Sequence, residues 1–152
     1  MRQYSGVSID PAVTVHELSA ELGQAADALL GQRHGISFAR YRVLRALRRD
    51  GTSTQHELAG RLGIGDAAIS RMLPGLIEQG WCLVEDDPQH GRRRRVRLTR
   101  SGADIERDCA VFLSEGFRGA ASDAGVDVES FLAAAEAITA QLRSSLHRHT
   151  TP

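Results

Sequence analysis

Six stretches of helical periodicity, a Gly63-Ile64-Gly65 turn between two short ones, and a single arginine-loaded hairpin ending at Leu98 predict a mainly α fold. The expected architecture is a winged helix-turn-helix core with a two-stranded wing, flanked by N- and C-terminal helices that dimerise. With 152 residues, 41% of them hydrophobic and 25% charged, the chain has room for one domain. Within it, residues 1–35 and 101–152 read as the dimerisation helices and residues 36–100 as the winged core.

From Pro11 to Gln32, Val15, Leu18, Leu22, Ala25, Ala26, Leu29 and Leu30 recur every three or four residues, which predicts a helix stopping near Gly31 or Gly35. Ser37 is the N-cap of a second helix, which carries Phe38, Tyr41, Val43, Leu44 and Leu47 and ends at Asp50-Gly51. Thr54 and Glu57 form a capping box at the start of the third. Leu58, Ala59 and Leu62 give this helix its buried face, and Gly63 is suited to the left-handed residue that closes it.

The fourth helix, about Asp66 to Gln79, repeats Ile69, Met72, Leu73, Leu76 and Ile77 at helical spacing and leaves Asp66, Ala67, Ala68, Ser70 and Arg71 outward. Its apolar phase continues across Pro74-Gly75, which predicts a kinked but continuous helix. Strands are expected at Trp81–Val84 and about Arg93–Leu98, with the wing, Glu85 to Arg92, between them. Thr99 caps a fifth helix bearing Ile105, Cys109, Phe112, Leu113 and Phe117. After Gly125 a sixth carries Val128, Phe131, Leu132, Ala135, Ile138, Leu142 and Leu146. These terminal helices exceed what a small winged domain needs, so a second copy is their expected partner.

The formal net charge is zero, so any nucleic-acid reading rests on where the charge sits. Pro88 to Arg100 holds six arginines and no acid, whereas Glu85, Asp86 and Asp87 stand just before it. All nineteen basic residues are arginine, whose planar fork suits phosphate and base edges better than a lysine ammonium. No apolar run approaches a membrane span and no signal-peptide layout is present, so a soluble cytoplasmic protein without a membrane partner is expected.

Cys82 and Cys109 lie far apart in apolar segments, where cysteine packs as a small hydrophobe. The six histidines show no metal-ligand spacing apart from His147-x-His149 near the C-terminus. With no phosphate loop, nucleophile elbow or paired catalytic acids either, neither an enzyme nor a cofactor or metal is expected.

The run Thr54-Gln55-His56-Glu57-Leu58-Ala59-Gly60-Arg61-Leu62-Gly63, followed by Ile69-Ser70-Arg71, Leu76, Gly80, Asp87-Pro88, Arg92 and Leu98-Thr99, resembles the MarR (multiple antibiotic resistance regulator) family over about Ile36 to Gly102. The resemblance implies a homodimeric transcription regulator that binds a palindromic operator on double-stranded DNA. It also implies release of that DNA when a small aromatic or anionic effector, or an oxidant, acts. One departure stands in the wing, where the family's acid two residues before its key arginine is His90 before Arg92.

The expected DNA contacts follow from that arrangement. Thr54 and Gln55 bring free N–H groups to phosphate at a helix N-terminus. Asp66, Ala67, Ala68, Ser70 and Arg71 face the major groove, with Arg71 able to bridge guanine O6 and N7. His90, Arg92, Arg93 and Arg94 lie on the wing, with Arg92 entering the minor groove. His34, Tyr41 and Arg45 are the candidate effector contacts. Two alternatives belong to other classes: a winged-helix module that docks an acidic protein surface, and a redox or metal sensor on the same scaffold.

Overall fold

The computed structural model describes residues 10–87, 91 and 93–149. In order these form α1 (Pro11–His34), α2 (Phe38–Asp50), α3 (Gln55–Leu62), α4 (Asp66–Glu78), β1 (Cys82–Asp86), β2 (Arg94–Leu98), α5 (Arg100–Asp123) and α6 (Val128–His149). Two compact units divide the chain, Met1–Val111 and Phe112–Pro152.

Local chemistry sets the helix boundaries of the first unit. The Asp10 carboxylate accepts the N–H groups of Ala12 and Val13, and Pro11 supplies a first-turn residue that has no N–H to satisfy. Ser37 Oγ accepts the Arg40 N–H at 3.3 Å. At α3 the capping box is complete: Thr54 Oγ1 accepts the Glu57 N–H, and the Glu57 carboxylate accepts the Thr54 N–H. Gly63, at φ 65°, takes the left-handed conformation that lets α3 turn directly into α4.

Helix α2 lies at the middle of this unit, in contact with α1, α3 and β2. Leu30, Ile36, Val43, Leu44, Leu47, Leu58, Ile69, Leu76 and Val96 are all at most 1% exposed and form the core. An amide hydrogen bond from Phe38 to the Asp27 carboxylate, 2.8 Å, ties the start of α2 to α1. Helix α4 runs on through Pro74 to Glu78. Ile77 departs from the expected apolar face, being 40% exposed. At about 100° per residue it lies well to one side of the arc that Ile69, Leu73 and Leu76 bury.

The antiparallel hairpin pairs Cys82 with Leu98, Val84 with Val96 and Asp86 with Arg94. The first strand runs past the expected Trp81–Val84: the backbone ladder continues through Glu85 and Asp86, opposite Arg95 and Arg94, and Glu85 is held there by Arg97. The Asp87 N–H donates to the Arg93 carbonyl at 2.8 Å, just beyond β2. Fully buried Ser53 adds a bridge to Val96 on the other side of β2, with both backbone hydrogen bonds made. Thr99 Oγ1 donates to the Gly80 carbonyl and accepts the Gly102 N–H, so α5 starts against the foot of the hairpin. A Cβ on Gly102 would collide with the Trp81 carbonyl oxygen, so this approach demands glycine.

In the second unit Gly125, at φ 69°, makes the turn into α6, and the Asp127 carboxylate caps α6 by accepting the Ser130 N–H. Phe117 packs on Phe131 at 6.0 Å between ring centroids, Ala121 and Val128 are buried, and Arg118 pairs with Glu129 at 2.8 Å. Leu132, Ile138 and Leu142 remain exposed. Among the described residues, no helix is long and apolar enough to cross a membrane.

Candidate nucleic-acid interface

Capping places Gln55 and His56 at the start of α3, where a helix has N–H groups that no carbonyl of its own can satisfy. The hairpin returns beside them. Thr54, Gln55, His56, Glu57, Arg93 and Arg94 together line a cleft of about 440 Å³. Four of the predicted contacts, Thr54, Gln55, Arg93 and Arg94, thus meet on one surface. His56 Nδ1 reaches the Asp66 carboxylate at 3.1 Å, which sets the first residue of α4 beside the same cleft.

Along α4, Asp66, Ala67, Ser70 and Arg71 are exposed and Ala68 is half-buried, as expected for the outward face of a helix anchored by Ile69, Leu73 and Leu76. His90 and Arg92, also predicted as contacts, lie outside the described residues.

The hairpin arginines fall into two groups. Arg97 binds the Glu85 carboxylate at 2.7 Å. Arg95 pairs with the Asp87 carboxylate at 3.5 Å and donates to the Thr52 carbonyl at 3.2 Å. Asp87 is 5% exposed, so its charge is held inside the hairpin and not offered to solvent. Arg93 and Arg94 are exposed, and among the described residues no carboxylate lies within 4.0 Å of either, nor of Arg71. Glu85 and Asp87 therefore neutralise Arg97 and Arg95, and Arg93 and Arg94 line the cleft beside α3 with no such partner among the described residues. Such a cleft attracts an anion and holds it by charge-assisted hydrogen bonds.

Sequence reasoning missed His56 and Glu57 as part of this surface. The signal was their position in the first turn of α3, next to Gln55. The Glu57 carboxyl is held below its ordinary value chiefly by the hydrogen bond from the Thr54 N–H, so the cap is charged at neutral pH.

The three candidate effector contacts have different surroundings. Tyr41 is 8% exposed, stacks on Phe38 at 6.0 Å, and has its phenol pushed up by burial. Arg45, one turn further along α2, donates to the Glu106 carboxylate at 3.0 Å, with Arg48 3.9 Å from the same group. Glu106 is 2% exposed and was not foreseen from the sequence. His34 is half-buried in the last turn of α1.

Both cysteines are buried. Burial pushes the Cys82 thiol up to about 12 and the Cys109 thiol up to about 11, the latter with help from Asp108 and Glu106. Neither is an activated thiolate at neutral pH. Among the described residues, no cluster of three or more His, Cys, Asp or Glu could hold a metal ion.

The sequence model of the MarR family matches residues 34–93. No curated protein sequence matches the chain. Among solved structures, a mutant MarR from E. coli superposes with a TM-score of 0.78 at 21% identity, covering 90% of this chain and 99% of that one. The transcriptional regulator BldR from Sulfolobus solfataricus gives 0.76 at 20% identity, covering 86% and 92%. The PcaV transcriptional regulator from Streptomyces coelicolor, in complex with its natural ligand, gives 0.67 at 22% identity, covering 92% and 99%. A mutant MarR complexed with operator DNA also gives 0.67, at 21% identity, covering 92% and 93%. The fold of this chain is therefore that of these regulators, and its residues 34–93 match the sequence model of the MarR family.

Proposed function

We propose that the protein is a homodimeric, sequence-specific DNA-binding transcriptional regulator of the cytoplasm, acting as a repressor that a small aromatic or anionic effector releases from a palindromic operator. The observation that carries this reading is the cleft where Thr54 and Gln55 meet two uncompensated arginines, Arg93 and Arg94, beside the exposed start of α4. Helix N-terminus and guanidinium groups there suit the phosphate backbone, while Ser70 and Arg71 on α4 suit base edges in the major groove. Arg92 and His90 complete the wing in this reading. The MarR structure bound to operator DNA supports DNA as the ligand, and PcaV with its natural ligand supports a small-molecule effector.

The terminal helices, residues 1–35 and 101–152, supply the dimer. On α1 Val15 is 65% exposed, with Leu18, Leu22 and Leu29 at 38–41%; on α6 Ile138 and Leu142 are each 60% exposed. Apolar side chains repeated along a helix face in this way favour a protein partner over water. A second copy would present two reading helices about 34 Å apart, one turn of B-DNA.

Footprinting on the DNA upstream of the protein's own gene, with sedimentation velocity on the same preparation, tests both parts. Two protected half-sites about one helical turn apart and a particle of twice 16.5 kDa are expected. A monomer, or binding to random duplex DNA that does not weaken steeply with salt, would overturn the reading in favour of a protein-docking module.

A further inference from the structure

A second cluster of guanidinium groups lies on the exposed side of α2. Arg42, Arg45 and Arg49 recur there at helical spacing, and Arg61 reaches the same place from the last turn of α3. With Ala46 and Leu62 they line a cleft of about 270 Å³. We propose that this cleft is a binding site for a compact, multiply charged oxyanion, an organic phosphate or a polycarboxylate.

The four groups are held in place, unlike a solvated charge run. Arg42 donates to the Leu62 carbonyl at 2.9 Å. Arg61 donates to the Asp50 carboxylate and to Ser53 Oγ, both at 2.9 Å. Arg49 takes the same carboxylate through two bonds of 3.0 and 3.1 Å. Arg45 is fixed by Glu106 at 3.0 Å, a carboxylate it shares with Arg48. Four guanidinium groups therefore share two carboxylates, and among the described residues no acid lies within 4.0 Å of the fifth, Arg42. Each fork keeps donors that its present partners do not use. Oriented arginines around a concave surface match the paired oxygens of phosphate and carboxylate groups, and little side-chain entropy is left to lose on binding. A single charge would leave most of these forks unused, so an anion with two or more oxyanion groups fits best. Binding here requires no DNA, and its failure would leave the operator reading untouched.

Calorimetric titration of the intact protein with inorganic pyrophosphate, at ionic strength held constant with chloride, tests the site, and a parallel citrate titration distinguishes phosphate from carboxylate preference. Saturable binding is expected, weakened about ten-fold or more in Arg42→Gln and Arg49→Gln and unchanged in Arg33→Gln, which removes an exposed arginine elsewhere on the chain. Circular dichroism melts of each variant establish that it is folded. Equal losses in all three variants, or neither anion binding above the chloride background, would overturn the proposal. So would a weakening of duplex DNA in Arg42→Gln with no pyrophosphate binding by the wild type, since the cleft would then be a DNA-phosphate contact.

Discussion

Replacing Arg93 and Arg94 together by alanine removes two cations that no acid of the hairpin neutralises, while Arg95 and Arg97 keep their bonds to Asp87, Thr52 and Glu85. The hairpin should therefore fold as before, and the change should appear in DNA binding alone. If each arginine neutralises one phosphate, the slope of log affinity against log salt becomes shallower by about 0.9 per residue, or about 1.8 for the pair. Over a four-fold rise in salt, from about 50 to 200 mM, wild-type binding then falls about twelve-fold more than that of the variant, since four raised to the power 1.8 is about twelve. Fluorescence anisotropy with a labelled duplex across that range measures both slopes, and a thermal melt checks the fold. A variant with a melting point matching the wild type and an unchanged slope would refute the argument, because the cleft cations would then not be meeting phosphate.

Three further outcomes follow from individual contacts. Arg45→Ala leaves the buried Glu106 carboxylate with only the more distant Arg48; because Arg45 is itself 62% exposed, the loss should be about 1 kcal/mol, and Glu106→Gln, which removes the buried charge itself, should cost less in urea denaturation. Thr54→Val breaks the capping box and should cost about 1 kcal/mol. Because the folded Glu57 carboxyl is held below its ordinary value of 4.5, its contribution is complete above that pH and is withdrawn as pH falls through the lower folded value; Glu57→Gln should flatten that part of the acid stability profile, and an unaltered profile would exclude the cap as its source. With thiols at about 12 and about 11, Cys82 and Cys109 should stay reduced under mild peroxide at neutral pH; wild type and a double Cys→Ser variant should bind DNA alike after treatment, and peroxide release of the wild type alone would revive the redox-sensor alternative.

The caps of α2 and α3, the Gly63 turn, the outward face of α4 and the start of α5 at Thr99 were all legible in the amino-acid order. Each depends on residues within a few positions of one another, and helix geometry converts that spacing into direction. The alternation of the strands stopped being readable at Glu85, because there the ladder continues through charged residues, with Glu85 held by Arg97 and not by apolar burial. Ile77 carried the right residue type but lies to one side of the arc that Ile69, Leu73 and Leu76 bury, and it stays exposed.

The arginines show the division most clearly. Their number and clustering were plain from the sequence, but nothing local distinguishes Arg93 and Arg94 from Arg95 and Arg97, or a free Arg45 from one bound to Glu106 61 positions away. Which cation is spent on an internal carboxylate and which is left for a ligand depends on distances across separate elements, and Coulomb attraction at a few ångströms reads those distances irrespective of separation along the chain. Sequence by itself determined the elements, their order and where positive charge accumulates. Tertiary structure alone decided which guanidinium groups remain uncompensated, because that choice is made by neighbours in space.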